Sequence, residues 1–194
     1  MPIVLRVSRG NSVFDEDLSN EDIIVGIKDA IKLNIAPMAL SIYVGRGYQY
    51  KTLVNLAKLI DLGEEYGIPV LAVTAVGKNM ARDERYLSLS CRIAAELGAH
   101  IVKTYYCDHF DQVVKKCPIP IVIAGGKKIE ELAALELTYK AIHDGAVGVD
   151  MGRNIFQADS PVAMIQAVRT IVHEGNSVKK AYALYHSLKK EKKT

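Results

Sequence analysis

Along this chain, short unbroken apolar runs alternate with segments whose apolar residues recur every three to four positions. The runs are Ile3-Val4-Leu5-Arg6-Val7, Ala39 to Val44, Val70 to Val76, His100 to Tyr106, Pro120 to Ala124 and Val147 to Gly152. Their length and β-branched content predict strands. The spacing between them predicts helices carrying Ile24, Ile27 and Ile31; Leu53, Leu56, Ala57 and Ile60; Tyr86, Leu89, Ile93 and Leu97; and Leu132, Leu135, Tyr139 and Ile142. A shorter helix is expected around Phe110 to Lys116, and two more follow Ser160-Pro161 and Val178. Local signals mark the ends. Ser19-Asn20-Glu21-Asp22 resembles a capping box that would open the first helix, Pro37 precedes the second strand, and Ser160-Pro161 is an N-cap and first-turn pair. Gly67-Ile68-Pro69, Gly77-Lys78-Asn79 and Asp144-Gly145 act as stops.

Strands that alternate with helices pair in parallel through right-handed crossovers, and near-continuous apolar strands suit a sheet covered on both faces. Six such units follow one another without a linker or a shift in composition, so one α/β domain over residues 1–194 is expected. Two architectures accommodate them: an open doubly wound sheet, or a TIM (β/α)8-type barrel with two units missing. Strand number favours the first. The placement of the glycines favours the second.

Composition narrows the class without choosing a chemistry. The chain has 194 residues, 49% hydrophobic and 24% charged, enough for one well-filled core. A net charge of +3 carries no nucleic-acid signature, and much of the excess sits in Lys189-Lys190-Glu191-Lys192-Lys193, expected to be a frayed, solvated end. Cys91, Cys107 and Cys117 are an odd number with no CxxC spacing, so neither a disulfide framework nor a zinc knuckle is indicated, and a reducing cytoplasm is the default. No apolar run is long enough to span a bilayer, and Met1-Pro2-Ile3-Val4-Leu5 lacks the form of a signal peptide.

Lys103 is out of keeping with its strand. Alternation puts Ile101, Lys103 and Tyr105 on one face, and a lysine in a strand flanked by helices should be covered. A covered ammonium needs either an ion pair or an exit for its amine, or it loses its proton and becomes a nucleophile able to form a Schiff base. The next two strands end in glycines: Ala124-Gly125-Gly126-Lys127-Lys128 and Gly152-Arg153-Asn154. Gly125-Gly126 alone reads equally as a pair of ordinary turn glycines. As a phosphate site, the glycines would give the close backbone approach that residues without Cβ allow, with an arginine adding bidentate contacts, and the two sites together favour this. Barrels place such a site after their last two strands beside a short extra helix, which Ile155-Phe156-Gln157 could supply. A lysine strand followed by two phosphate strands is the layout of a class I aldolase: the phosphate is the handle, and the lysine captures a carbonyl as an electron sink.

The segments IVKTYY (101–106), CPIPIVIAGGKK (117–128), GVDMGRNIFQADSPVAMIQAVR (148–169) and AYALYHS (181–187) closely resemble the class I aldolase-like thiolases of autoinducer-2 degradation. These form a branch of the archaeal-type fructose-bisphosphate aldolase superfamily, and the similarity runs along essentially the whole chain. It implies a TIM barrel of which this chain supplies the third to eighth βα units, in a cytoplasmic homo-oligomer. It also implies acetyl transfer from 3-hydroxy-5-phosphonooxypentane-2,4-dione to coenzyme A as co-substrate. No bound cofactor or metal is expected, and charge and hydropathy point to no nucleic-acid or membrane partner. Lys103 matches the family's active-site lysine, and Gly125, Gly126, Gly152 and Arg153 match its phosphate-binding loops. Aldol cleavage of another phosphorylated ketose, or a catalytically inactive phosphosugar-binding remnant, are the alternatives.

Two departures from the family pattern bear on this. Fructose-bisphosphate-cleaving members carry Trp-x-Tyr-Pro-Arg-Gly where this chain has Ala72-Val73-Thr74-Ala75-Val76-Gly77, so Thr74 stands in place of a tyrosine proton donor. The family's first strand, ending Phe-Asp-His-Gly with active-site Asp and His, has no counterpart here. No histidine is an obvious substitute. His100 lies on the face opposite Lys103, His109 is read as an exposed loop residue, and His143, His173 and His186 as surface positions on helices. Tyr105 either orients substrate or fills the barrel. Asp150 is either a partner for the lysine or a core carboxylate bonded to backbone.

Overall fold

A computed structural model describes residues 3–12, 14, 15, 17–75 and 81–191 of the chain. The sequence expectations at Met1 and Pro2, Val76, Gly77-Lys78-Asn79, and Lys192 and Lys193 lie outside the described residues. Six strands form one parallel sheet: β1 (Ile3–Arg6), β4 (Ile35–Ile42), β5 (Val70–Thr74), β6 (Ile101–Tyr105), β7 (Ile121–Ala124) and β8 (Gly148–Asp150). Their spatial order is their chain order, and every pairing is parallel. A doubly wound sheet reverses direction at a switch point. This one never reverses, so the winding is that of a barrel, with β1 and β8 as its two edges.

The helices follow the strands: α1 (Ile27–Lys32), α2 (Gln49–Tyr66), α3 (Glu84–Glu96), α4 (Phe110–Lys116), α5 (Glu131–His143), α6 (Arg153–Phe156), α7 (Pro161–Glu174) and α8 (Val178–Glu191). Met38, Leu40 and Ile42 of β4, Val70 and Ala72 of β5, and Val102 of β6 are buried in one core with Leu56, Leu59, Leu87 and Cys91 of α2 and α3. A second cluster joins Leu135, Met164, Ala167, Ile171, Ala181 and Tyr185, so α5, α7 and α8 pack on one another. Cys91, Cys107 and Cys117 are buried and unpaired. No helix among the described residues is long and apolar enough to cross a membrane.

Three local expectations change. The first helix begins at Ile27 rather than beside Ser19, because Asp22–Ile23 (β3) pairs antiparallel with Ser8–Arg9 (β2) and Glu21 is drawn into an ion pair with Arg6. Pro37 lies within β4. The register slips there, from Ile3–Ile35 to Leu5–Met38, and an irregularity is where a strand tolerates a residue without an N–H. The lysine-rich end is helical through Glu191, and Lys189 reaches back to Asp159 at 2.6 Å. At the α7 start, Ser160 is the N-cap without a side-chain cap bond, followed by Pro161 in the first turn.

Candidate active site

Pairing fixes which side chains face inward. Ser41 lies opposite Val73, Val73 opposite Lys103, Lys103 opposite Val122, and Val122 opposite Gly148. One rung higher, Tyr105, Ala124 and Asp150 align. With a side-chain period of two, all of these share one face. They open on a cavity of about 410 Å³ lined by Lys103, Asp150, Gly125, Gly126, Gly152 and Arg153, together with Arg6, Ser41, Tyr43, Thr74 and Tyr105. All five residues predicted for the site therefore border one cavity.

Lys103 is neither sealed nor alone. Its Nζ lies 2.7 Å from Asp150 Oδ2, and the side chains are 22% and 50% exposed. The long stem climbs from its own rung to the next, where Asp150 sits. The expected covering is absent because the inner face opens into the cavity, and the amine is paired rather than desolvated. Asp150 is the lysine's partner. Behind the lysine, Thr74 Oγ1 is 2.7 Å from Thr104 Oγ1 and 3.3 Å from the Lys103 carbonyl oxygen, tying β5 to β6. Arg82 stacks over the Tyr105 ring at 3.9 Å, a cation–π contact that holds this aromatic at the cavity wall.

The glycine rim is held by one amide. Asn154 is fully buried; its Nδ2 donates to the Gly125 carbonyl at 2.7 Å and its Oδ1 accepts from the Ile129 N–H at 2.9 Å. A Cβ on Gly125 would stand 2.8 Å from Met151 Cγ and 2.9 Å from Asn154 Nδ2, so only glycine lets the two loops close on each other. Gly126, at φ +67°, has nothing within 4 Å of its would-be Cβ and opens towards solvent. Arg153 begins α6 and has no ion-pair partner among the described residues. It is an exposed residue beside the exposed Gly152 and the half-buried Gly125 and Gly126.

Across the cavity, Arg6 Nη2 lies 2.7 and 2.8 Å from the two Glu21 carboxylate oxygens. Glu21 is 2% exposed and also accepts from Ser8 Oγ, Asn11 Nδ2 and Tyr43 Oη. Burial, then the neighbouring Glu21 charge, push the Tyr43 hydroxyl up to about 12. Sequence reasoning missed Arg6, Glu21, Tyr43 and Asn154. The signal available was Ser41, a hydroxyl in an otherwise apolar strand. The histidines stay outside: His100 Nδ1 accepts from the Val70 N–H at 3.2 Å at the far end of its strand, and His109 is an exposed residue at φ 57° before α4. His143 is exposed beside Asp144, and His173 is exposed near the end of α7. His186 is half-buried against Tyr182, its ring 4.4 Å away. No group of three or more potential metal ligands occurs among the described residues.

A parallel sheet wound in one direction, with its polar residues gathered at the strands' carboxyl ends, defines a (β/α)-barrel-type protein with its chemistry at the mouth. The chain belongs to the DeoC/LacD family of aldolases, whose family model matches residues 1–158. It is 54% identical over 185 residues to "Uncharacterized aldolase PM1278" of Pasteurella multocida (strain Pm70), covering 95% of this chain and 63% of that protein. It is 53% identical over 189 residues to the 3-hydroxy-5-phosphonooxypentane-2,4-dione thiolase of Photorhabdus laumondii, covering 97% of this chain and 65% of that one. The chain thus spans a little under two thirds of the length of these curated relatives. Among solved structures, an archaeal fructose 1,6-bisphosphate aldolase superposes with a TM-score of 0.81 at 23% identity over 88% of this chain and 71% of its own, a likeness of fold.

Proposed function

We propose that this chain carries the lysine and phosphate machinery of a class I aldolase-like thiolase. Its substrate is 3-hydroxy-5-phosphonooxypentane-2,4-dione, cleaved with coenzyme A to acetyl-CoA and dihydroxyacetone phosphate. One observation carries the reading: Lys103, with a carboxylate 2.7 Å from its amine, lines the same cavity as Gly126 and Arg153. Identity above half to proteins named as that thiolase supports the choice of substrate.

The phosphate rests against the backbone of Gly125, Gly126 and Gly152, and the Arg153 guanidinium supplies the charge. Asp150 is placed to accept a proton from the Lys103 ammonium, freeing the lone pair to add to a carbonyl carbon. Loss of water from the resulting carbinolamine leaves an iminium, into which the electrons of the adjacent C–C bond can flow. Thr74, buried and bonded to Thr104, acts as a strut between strands rather than as a proton donor.

Borohydride reduction in the presence of dihydroxyacetone phosphate tests this directly. A mass adduct on the peptide containing Lys103, absent in Lys103→Arg, is expected. Phosphate-ester binding with no adduct would instead mark a phosphosugar-binding protein without Schiff-base chemistry.

A further inference from the structure

The flank of Lys103 away from the glycine rim holds a cation that neither the amine nor the phosphate uses. Arg6 pairs with Ala39, two residues short of Ser41, which lies on the rung of Lys103. Alternation puts Arg6, Ser41 and Lys103 on the same inner face. Strands of an eight-stranded barrel are staggered by roughly one residue each. Asp150 stands two residues above the lysine's rung, two strands on, and Arg6 two residues below it, three strands back. All three therefore lie at about one level of the cavity, with Lys103 between Arg6 and the phosphate rim.

Arg6 is fixed along one edge and free along the other. Its Nε donates to the Ser8 carbonyl at 3.1 Å, and Nη2 is taken by Glu21 and by Ser41 Oγ at 2.7 Å. Nη1 makes no hydrogen bond to any described residue, and the side chain is 40% exposed where it borders the cavity. A guanidinium held by a buried carboxylate, with a nitrogen to spare, is preorganised to receive an oxygen.

We propose that Arg6 binds the second carbonyl oxygen of a phosphorylated 1,3-dicarbonyl substrate, on the carbon two positions from the one Lys103 captures. This rests on the lysine–phosphate reading and gives the substrate a direction: phosphate towards Arg153, iminium at Lys103, distal carbonyl towards Arg6. Cleavage acts on that distal carbonyl. A thiolate adds to its carbon, the carbonyl π pair moves onto oxygen, and the guanidinium faces the alkoxide that results. As the C=O re-forms, the C–C bond towards the iminium breaks and its electron pair makes the enamine, while the acyl group departs on sulfur. The enamine carbon then takes up a proton, and water releases the lysine. Dihydroxyacetone phosphate, with one carbonyl, leaves Arg6 without a ligand.

The test compares borohydride trapping at Lys103 by the five-carbon phosphorylated dione and by dihydroxyacetone phosphate, reading the half-saturating concentration of each. Arg6→Lys keeps a cation for Glu21 but has no fork with which to serve a second partner, and Arg6→Met with Glu21→Gln removes both charges together. In both variants the dione should weaken by about tenfold or more, the loss of one hydrogen bond from a charged donor, while dihydroxyacetone phosphate is unchanged. Equal weakening of both ligands, or of neither, overturns the role of Arg6. No adduct with either ligand in the unsubstituted chain overturns the lysine reading itself, and this inference with it.

Discussion

The two flanks of Lys103 are built from different materials. On the β7–β8 side the loops are shaped by backbone: Gly125 makes room, and a neutral buried amide, Asn154, ties Gly125 to Ile129. On the β1–β4 side the wall is shaped by charge: Glu21, almost inaccessible, gathers Arg6, Ser8, Asn11 and Tyr43 around one carboxylate. The first device leaves Arg153 without an ion-pair partner among the described residues, available for a dianion. The second neutralises its own cation and leaves only an edge of it to be read by a ligand. A strongly charged group is thus met by a free charge, and a polar but uncharged group by a compensated one.

If that contrast is right, the charge-built flank should be the more fragile. Arg6→Ala strands a buried carboxylate and should cost about 3 kcal/mol of stability, the low end for a broken buried pair because Arg6 is partly exposed and other donors remain. Arg6→Met with Glu21→Gln should recover much of that loss, since neither charge is left alone. Urea unfolding of the three proteins decides it. A single Arg6→Ala change below about 1 kcal/mol would place the pair with ordinary surface bridges.

The backbone-built flank should show smaller effects, ordered by contact rather than charge. Asn154→Ala leaves the Gly125 carbonyl and the Ile129 N–H without their partner, about 2 kcal/mol. Gly125→Ala pushes a methyl into Met151 and Asn154, about 1–3 kcal/mol of overpacking, whereas Gly126→Ala pays only for its φ of +67°, about 1 kcal/mol. Both Asn154→Ala and Gly125→Ala should raise the half-saturating dihydroxyacetone phosphate concentration in trapping. Gly126→Ala having the larger effect on unfolding would reverse the assignment of which glycine is needed for closeness and which for conformation.

The same contrast explains what could be read from the sequence. Strand–helix alternation, the lysine and the glycine loops are local signals, each contained in a few consecutive residues, and all reach the site. The parallel order followed from alternation, but the choice of barrel winding over a doubly wound sheet rested on where Gly125 and Gly152 fall. Asp150 could not be assigned because its partnership with Lys103 depends on register across β6, β7 and β8. The Arg6–Glu21 network was illegible for the same reason. Its members at 6, 8, 11, 21, 41 and 43 meet only after β1 pairs with β4 and β2 with β3, and the local pattern around Glu21 reads as a helix cap instead. Asn154 passed unnoticed beside the glycines because an amide in a loop carries no signal of its own until both loops are in place.

The smallest effect at neutral pH belongs to Tyr43, and it appears only in alkali. Its hydroxyl is raised from the ordinary value of 10 to about 12 by burial and by Glu21. A folded state that holds this proton more tightly than the unfolded chain is favoured below pH 10, and the advantage fades as pH climbs towards 12, so stability falls across that window. Tyr106, Cys91 and Cys107 are shifted upwards by burial too, so the whole alkaline limb is shared. The informative quantity is the difference between the wild-type chain and Tyr43→Phe. At pH 11 the wild type should have lost about 1 kcal/mol more than the variant, relative to each protein's own stability at pH 8. Parallel curves from pH 8 to 11 would mean that neither burial nor the Glu21 carboxylate makes the folded chain hold the Tyr43 proton more tightly than the unfolded one.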